Sequence, residues 1–213
     1  MKEQQSMGKI LLINGSPNEH GCTFTALKEL EKTLQKEGME TELLYLGKGP
    51  VQGCTACMSC MKTGKCVFDD LVNDLTERLD TIDGIVAGSP VYYGTPSGSL
   101  IAFLDRFCLV NEYRLYRKLA ASVLSCRRGG ATGAFMALNQ KYLNCSMTIV
   151  GSEYWNQVHG MEPDEVLQDE EGLQTMRVLG QNIAWLQKSI EAGRKAGLAA
   201  PVYEERIHTS FIR

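Results

Sequence analysis

The sequence lacks any long apolar run, so it predicts no membrane-spanning segment. Residues 1–8 are polar and have no apolar core of the kind found in signal peptides, which predicts a cytoplasmic protein. Lysine and arginine are scattered and the formal net charge is -3, so no basic surface for nucleic acid is expected. Internal repeats and low-complexity segments are also missing. The 213 residues, 44% of them hydrophobic, therefore predict one domain with a sizeable core.

Two phosphate-binding signatures are absent from the loop after the first predicted strand. It has no Gly-Lys-Ser/Thr ending, as a nucleoside triphosphate loop requires, and no G-x-G-x-x-G, as a dinucleotide site requires. Residues 9–23 instead form an apolar strand, a loop of small residues and the start of a helix. The unpaired N–H groups of a first helical turn attract an anion, so a monophosphate such as that of FMN is indicated. The alternative is an ordinary tight turn capped by Ser16 or Thr23.

Strand-like and helix-like segments alternate along the chain. After the first strand, strands are predicted at 41–46, 84–88, 120–125 and 146–150, and helices at 24–36, 69–79, 98–109, 132–142 and 171–196. Apolar strands separated by helices imply a parallel sheet covered on both faces. We therefore expect an α/β, flavodoxin-like three-layer sandwich with a five-stranded parallel sheet in the order 2-1-3-4-5. This domain is expected to span 9–197, between a flexible amino terminus (1–8) and a carboxyl-terminal tail (198–213).

Two further loops follow the third and fourth predicted strands, at the edge where such folds bind ligands. Residues 89–96 contain two tyrosines and a glycine between prolines, a composition that suits contact with a planar ring. The alternative is a proline-rich turn whose tyrosines shield the sheet. Residues 125–130 end in two glycines, which let the backbone approach a ring closely, and their arginine pair also fits plain surface charge.

These loops together resemble those of the NADPH-dependent FMN reductase family. Residues 15–23 are similar to its flavin loop, Gly-Ser-Pro, three variable residues, Gly-Asn-Thr, with Cys22 where Asn is usual. Residues 89–94, followed by 103–106, are similar to its isoalloxazine loop and the next helix. The resemblance implies bound FMN, with NAD(P)H as co-substrate, and a homodimer or tetramer. The cofactor-binding residues that it implies are Ser16, Pro17, Gly21, Cys22, Thr23, Phe24, Thr25, Pro90, Val91, Tyr92, Tyr93, Gly94, Arg127, Gly129 and Gly130.

One candidate catalytic residue comes from the same resemblance. Residues 152–160 are similar to a family segment that lies beyond the fifth strand, and they contain His159. Its imidazole is a candidate donor to substrate or flavin, and a structural histidine is the alternative.

Four of the eight cysteines are clustered. Cys54, Cys57, Cys60 and Cys66 form C-x2-C-x2-C-x5-C within a cysteine loop, residues 53–68. Four thiolates hold iron-sulfur clusters, and the C-x2-C-x2-C run of the first three cysteines lets consecutive sulfurs converge on one cubane. The motif resembles that of the iron-sulfur flavoproteins, a branch of the same family, which implies one [4Fe-4S] cluster. A cluster-free lid, redox-active thiols with reversible disulfides, and zinc are the alternatives.

The sequence thus predicts an FMN-dependent NAD(P)H oxidoreductase that passes electrons to a quinone, a flavin or a similar acceptor. FMN accepts a hydride and releases electrons singly or in pairs, so no catalytic acid or base is demanded of the protein. Two alternatives are open: an iron-sulfur flavoprotein that carries electrons between ferredoxin and a partner, and a redox sensor without turnover. The expected partner is accordingly a small-molecule electron acceptor or a redox protein.

Overall fold

The computed structural model describes residues 8–209 and 211. The strands are β1 (Lys9–Asn14), β2 (Glu40–Tyr45), β3 (Gly84–Tyr92), β4 (Thr95–Pro96), β5 (Leu119–Cys126), β6 (Thr148–Ile149) and β7 (Gln157–His159). The α-helices are α1 (Cys22–Lys36), α2 (Cys60–Thr63), α3 (Leu71–Arg78), α4 (Gly98–Leu115), α5 (Ala131–Asn144), α6 (Pro163–Val166) and α7 (Glu170–Lys195). Among these residues, none of the helices is both long and apolar enough to span a bilayer.

The sheet has the predicted strand order. Its path is β2-β1-β3-β5-β6, with every neighbouring pair parallel. Because β4 is a short strand off this path, the order corresponds to 2-1-3-4-5 for the five main strands, and the flavodoxin-like prediction is confirmed. The predicted count of five strands is wrong, since β4 and β7 make the sheet seven-stranded.

The strand β4 exists because the loop predicted at 89–96 folds as a β-hairpin. Strand β3 continues to Tyr92, and Thr95 pairs with it in the antiparallel direction. Tyr93 (φ 50°) and Gly94 (φ 80°) form the turn. Two consecutive positive φ angles give the twist that two-residue hairpins require.

The fifth strand position is divided between two short strands. Residues 146–150 are predicted as a strand, but only β6 pairs, opposite Leu119 and Ala120. The chain then leaves the sheet, and β7 returns to pair with residues 124–126. Since β3 occupies the other edge of β5 from Leu119 to Ser125, β6 and β7 share its outer edge.

The sheet is covered on both faces, which explains why the central strands β1, β3 and β5 are largely buried and apolar. Leu11 and Ile13 of β1 pack against the layer formed by α3, α4 and α5. Ile10 and Leu12, which point the opposite way, pack against α1 and α7. The alternation along β1 therefore confirms the three-layer sandwich.

Helix α4 extends beyond the predicted end at residue 109. It reaches Leu115 with a kink at Asn111, whose φ and ψ are -115° and 16°. The Asn111 amide is buried and donates to the Phe107 carbonyl and the Thr76 hydroxyl, at 3.0 and 2.8 Å. These hydrogen bonds offset the low helix propensity of asparagine.

The predicted limits of the domain, at residues 9 and 197, stay predictions. Residues 1–7 of the expected flexible segment lie outside the described part of the chain. Of the expected tail, residues 198–209 and 211 are described and contain no helix or strand.

Candidate functional site

The three predicted ligand loops lie at one edge of the sheet. In the register, Asn14 is opposite Gly88, and Pro90 is opposite Ser125. The carboxyl ends of β1, β3 and β5 are therefore close together, as expected for parallel strands at a switch point. The β1–α1 loop (residues 15–21), the β3–β4 hairpin and the loop 127–130 begin from these ends.

The β1–α1 loop is clamped to its neighbours at Gly15. The Gly15 N–H donates to the Gly88 carbonyl at 2.9 Å, and the Ser97 hydroxyl donates to the Gly15 carbonyl at 2.6 Å. A Cβ atom at Gly15 would lie 2.8 Å from Leu100 Cβ, which is too close. Glycine is therefore required for the loop to pack against α4.

The start of α1 fits an anion site. Its N-cap residue is Gly21, which has no side chain with which to cap the first turn. The Ser16 hydroxyl lies nearby, accepting from the Asn18 N–H at 3.1 Å, and a Cβ atom at Gly21 would be 3.9 Å from it. The N–H groups of Cys22, Thr23 and Phe24 precede the first α-helical bond of α1, in which the Thr25 N–H donates to the Gly21 carbonyl. An oxyanion beside Ser16 would satisfy these groups.

The hydroxyl of Thr23 is turned toward the protein interior. The residue is fully buried, and its Oγ1 lies 2.8 Å from Ser125 Oγ. Gly21 is the N-cap residue of α1 and, among the described residues, no side chain caps the start of this helix. Because Ser16 Oγ closes a turn by accepting from the Asn18 N–H, a tight turn capped by Ser16 stays an alternative. A phosphate contact by the Thr23 hydroxyl stays a prediction.

The hairpin tip packs directly on the loop after β5. A Cβ atom at Gly130 would lie 3.1 Å from Gly94 Cα, and one at Gly133 would lie 2.8 Å from the Gly94 carbonyl oxygen. These glycines thus let two backbone segments touch. Tyr93 is fully exposed, so it does not shield the sheet, and Tyr92 is 45% exposed.

The remaining predicted ring contacts surround this junction. Pro90 and Val91 are half-buried at the end of β3, and Val91 Cγ1 would be 3.2 Å from a Cβ atom at Gly130. Arg127 and Gly129 are exposed. The structure therefore brings Val91, Gly94 and Gly130 together, beside the β1–α1 loop, and ring binding by this set stays a prediction.

His159 belongs to a different pocket. Its backbone N–H donates to Asp169 Oδ2 at 2.6 Å, and its Nδ1 lies 3.7 Å from the same oxygen. It lines a pocket with Tyr154 and Trp155 at the start of α7, and no residue of the three ligand loops lines that pocket. A catalytic role for His159 stays a prediction.

The four clustered cysteines line one pocket beside α4. Cys54 and Cys57 are exposed, and Cys60 and Cys66 are intermediate in exposure. Burial raises the pKa of the Cys60 thiol, and the charges of the other three thiols raise it further. In the described part of the chain, no three His, Cys, Asp or Glu side chains are arranged to hold one metal ion. None of the eight cysteines forms a disulfide.

Although the thiols are not arranged around a single ion, the donor set that lines this pocket, four cysteine thiols, is of the type that holds an iron-sulfur cluster. The Ala56 N–H donates to Cys54 Sγ at 3.4 Å, and Arg106 Nε donates to Cys66 Sγ at 3.3 Å. Ala56 and Met58 adopt positive φ angles of 54° and 57°, which are uncommon for residues with a side chain. Hydrogen bonds to sulfur are among the features that set the potentials of iron-sulfur sites.

The structure shows three anchoring residues that the sequence interpretation missed. Asn73 accepts from the Cys66 N–H at 2.8 Å and donates to the carbonyls of Cys66 and Phe68, at 3.1 and 3.2 Å. Arg106 is 1% exposed and forms a two-point ion pair with Asp70. The sequence signal that could have identified Arg106 is its place among the apolar helix positions 103, 104 and 107, which predicts a buried charge.

The ion pair holds Asp70 in its charged form. Burial raises the pKa of the Asp70 carboxyl, but hydrogen bonds from Arg106 and the Val72 N–H outweigh burial, so the pKa lies below its ordinary value of 3.8. The same carboxylate caps α3 through the Val72 N–H at 3.1 Å. Asp70 therefore connects the start of α3 to the cysteine pocket.

Comparisons with known proteins agree with these features. The model of the NADPH-dependent FMN reductase family matches residues 8–162. An iron-sulfur flavoprotein of Methanocaldococcus jannaschii is 31% identical over 191 residues, covering 86% of this chain and 99% of that protein.

Two solved structures share the fold at low sequence identity. RosB, solved with bound 8-demethyl-8-formylriboflavin-5'-phosphate, has a TM-score of 0.70 at 17% identity, covering 97% of this chain and 94% of that chain. The NAD(P)H:quinone oxidoreductase of Methanothermobacter marburgensis has a TM-score of 0.63 at 16% identity, covering 83% and 98%. From the family match, this chain belongs to the NADPH-dependent FMN reductase family and is a flavin-dependent oxidoreductase of flavodoxin-like fold.

Proposed function

We propose that this protein binds FMN and passes electrons from NAD(P)H to a quinone, a flavin or a similar acceptor. The observation that carries the proposal is the junction of the three ligand loops beside the glycine-capped start of α1. Family membership and the fold shared with a NAD(P)H:quinone oxidoreductase support it.

In this proposal the backbone of residues 17–25 and the Ser16 hydroxyl hold the phosphate. A phosphate at this position completes the hydrogen bonding of the first helical turn and meets the positive end of the helix dipole. The hairpin residues 90–94 and the loop 127–130 hold the isoalloxazine ring. Bound FMN supplies hydride acceptance and electron release in one or two steps.

The exposed hairpin explains a broad choice of acceptor. Tyr92 and Tyr93 border the junction and are open to solvent. Gly94, the next residue, has no side chain that would cover them. The described part of the hairpin thus presents flat aromatic surfaces, which discriminate weakly among planar acceptors.

Anaerobic stopped-flow reduction tests this assignment. We expect NADH or NADPH to bleach the flavin absorbance of the FMN-loaded protein, and a quinone to restore it over many turnovers. A flavin that stays oxidised under excess NADH and NADPH would refute the reductase assignment.

A pair of glycine variants locates the flavin. Gly130→Ala forces a side chain into a positive φ of 89° and against Gly94, so we expect FMN affinity to fall at least tenfold. Gly38→Ala is the matched control, because Gly38 has a similar φ of 85° with open space around it, beyond the end of α1. Equal FMN affinities in the two variants would place the flavin elsewhere.

A second candidate function is electron transfer between ferredoxin and a partner through a cluster. The four thiols around one pocket, two of them receiving N–H donors, favour it. Cys54, Cys57, Cys60 and Cys66 would hold one [4Fe-4S] cluster, and the name of the M. jannaschii relative agrees.

The first measurement for this candidate is the visible spectrum of anaerobically purified protein, with iron and acid-labile sulfide assays. Flavin bands with four iron and sulfide atoms per chain, as expected for one [4Fe-4S] cluster, would support it. Flavin bands without iron would indicate that the cysteine loop is a lid or a set of redox-active thiols. Bound zinc in place of iron would indicate a structural metal site.

The proposed assembly is a homodimer or tetramer in the cytoplasm. Light scattering of the purified protein during gel filtration tests the assembly, and a monomer that retains full turnover would contradict it.

A further inference from the structure

A buried cation lies at the base of the cysteine pocket. Arg106 lines the pocket together with all four clustered cysteines, and its side chain is 1% exposed. A guanidinium in that environment has lost its hydration, so it is tolerated only when it is paired and hydrogen-bonded.

The protein holds this guanidinium from several sides. Its two terminal nitrogens donate to the Asp70 carboxylate at 2.8 and 2.5 Å, and Nη1 also donates to the Gln52 carbonyl at 3.1 Å. The Phe68 ring centroid lies 5.1 Å from Cζ. Nε is left to donate to Cys66 Sγ, at 3.3 Å.

The two charges of the pair face different surroundings. Arg106 lies on the pocket side, whereas the Asp70 side chain is 39% exposed. Water therefore screens the carboxylate more than the guanidinium, so the charge of Arg106 acts on the pocket more strongly than that of Asp70.

We propose that Arg106 is a positioning residue of the four-cysteine site, which orients Cys66 and electrostatically favours the reduced form of a bound [4Fe-4S] cluster. This inference rests on the cluster of the second candidate function. One-electron reduction adds negative charge to a group already negative from its thiolates, so a fixed nearby cation raises the reduction potential. A purely structural anchor would have no such electrostatic effect.

Four variants separate charge from anchoring. Arg106→Met removes the cation. Asp70→Asn removes the opposing charge and retains the capping of α3, since asparagine is an equally good N-cap residue. Arg106→Lys keeps the charge without the two-point geometry. Arg114→Met is the matched control, since Arg114 lies on the same helix about 12 Å further along and pairs with Asp80.

The measurement is the reduction potential of the cluster, from an anaerobic titration followed by electron paramagnetic resonance, with iron and sulfide counted for each variant. We expect a lower potential in Arg106→Met, a higher one in Asp70→Asn, a value between Met and wild type in Arg106→Lys, and no change in Arg114→Met.

Both substitutions would loosen the loop, and a looser loop would shift the reduction potential in the same direction in each. Opposite shifts in Arg106→Met and Asp70→Asn therefore report charge. Shifts of the same sign, or none, would overturn the proposal. If Arg106→Met fails to fold or to hold a cluster, the sign of the Asp70→Asn shift decides. Wild-type protein without iron and sulfide would overturn the cluster and this inference together, whereas a normal cluster with unshifted potentials would overturn this inference alone.

Discussion

Replacement of Asn73 by alanine should release the carboxyl-terminal end of the cysteine loop. Asn73 lies on α3, is 7% exposed, and forms three hydrogen bonds with the backbone of Cys66 and Phe68. Because Asn73 lies outside the loop, its replacement removes these three bonds and leaves the four thiols in place.

The expected magnitude follows from these bonds. Three hydrogen bonds at about 1 kcal/mol each amount to about 3 kcal/mol. Alanine has a higher helix propensity than asparagine by about 0.6 kcal/mol, so the net loss is about 2.4 kcal/mol. For a domain of this size the melting temperature should fall by about 5–10 °C. If only the loop detaches, α3 stays helical and the propensity gain cancels, so the loss is about 3 kcal/mol and the open population should rise about 160-fold, since RT is about 0.59 kcal/mol.

Two assays distinguish these cases. Thermal unfolding reports the global loss, and tryptic cleavage under native conditions reports local opening, because Lys62 and Lys65 lie in the cysteine loop. Asn182→Ala is the control: it has the same helix propensity gain but loses one hydrogen bond, to the Gly151 carbonyl. If Asn73→Ala melts and is cleaved like Asn182→Ala, the anchoring role of Asn73 is refuted.

Three further predictions concern the ligand loops and the pH dependence. Gly15→Ala should lower the free energy of unfolding by about 1–3 kcal/mol through its clash with Leu100 and should weaken FMN binding; unchanged denaturation and flavin-fluorescence titrations would contradict this. Tyr93→Ala should leave the stability of flavin-free protein within about 0.5 kcal/mol but raise the Kd for FMN about three- to tenfold, and an equal Kd would exclude ring contact. Burial raises the pKa of the Glu42 carboxyl, but hydrogen bonds and ion pairs with Arg78 and Lys9 outweigh burial, so this pKa lies below its ordinary value of 4.5. This carboxylate therefore stabilises the fold above the unfolded pKa and loses that effect as the pH falls through the folded pKa, so the melting temperature should drop more steeply below about pH 4.5 in wild type than in Glu42→Gln. Parallel melting curves from pH 7 to pH 2.5 would contradict this linkage.

The strand order and the family were predictable because their signals are local. Most of the main strands are short apolar runs between helices, and the residues of the flavin loop, Gly15 to Thr23, are consecutive in the sequence. The same local signals failed at the edge of the sheet. Residues 146–150 look like one strand, but pairing along the outer edge of β5 is shared with β7, which follows after an excursion from the sheet.

The site shows the same division. The sequence identified the loops and the four cysteines, because glycine positions and cysteine spacing are patterns within short segments. The structure alone revealed that the Thr23 hydroxyl pairs with Ser125, 102 residues away, and that Arg106 pairs with Asp70, 36 residues away.

By itself, therefore, the sequence determined the strand order, the ligand loops and the set of candidate thiol ligands, since each depends on the chemistry of neighbouring residues. Only the tertiary structure decided which side chains face the ligand loops and which anchor the cysteine loop. Those contacts join residues of different layers, and they form only when the helices pack on the sheet and remove both partners from water.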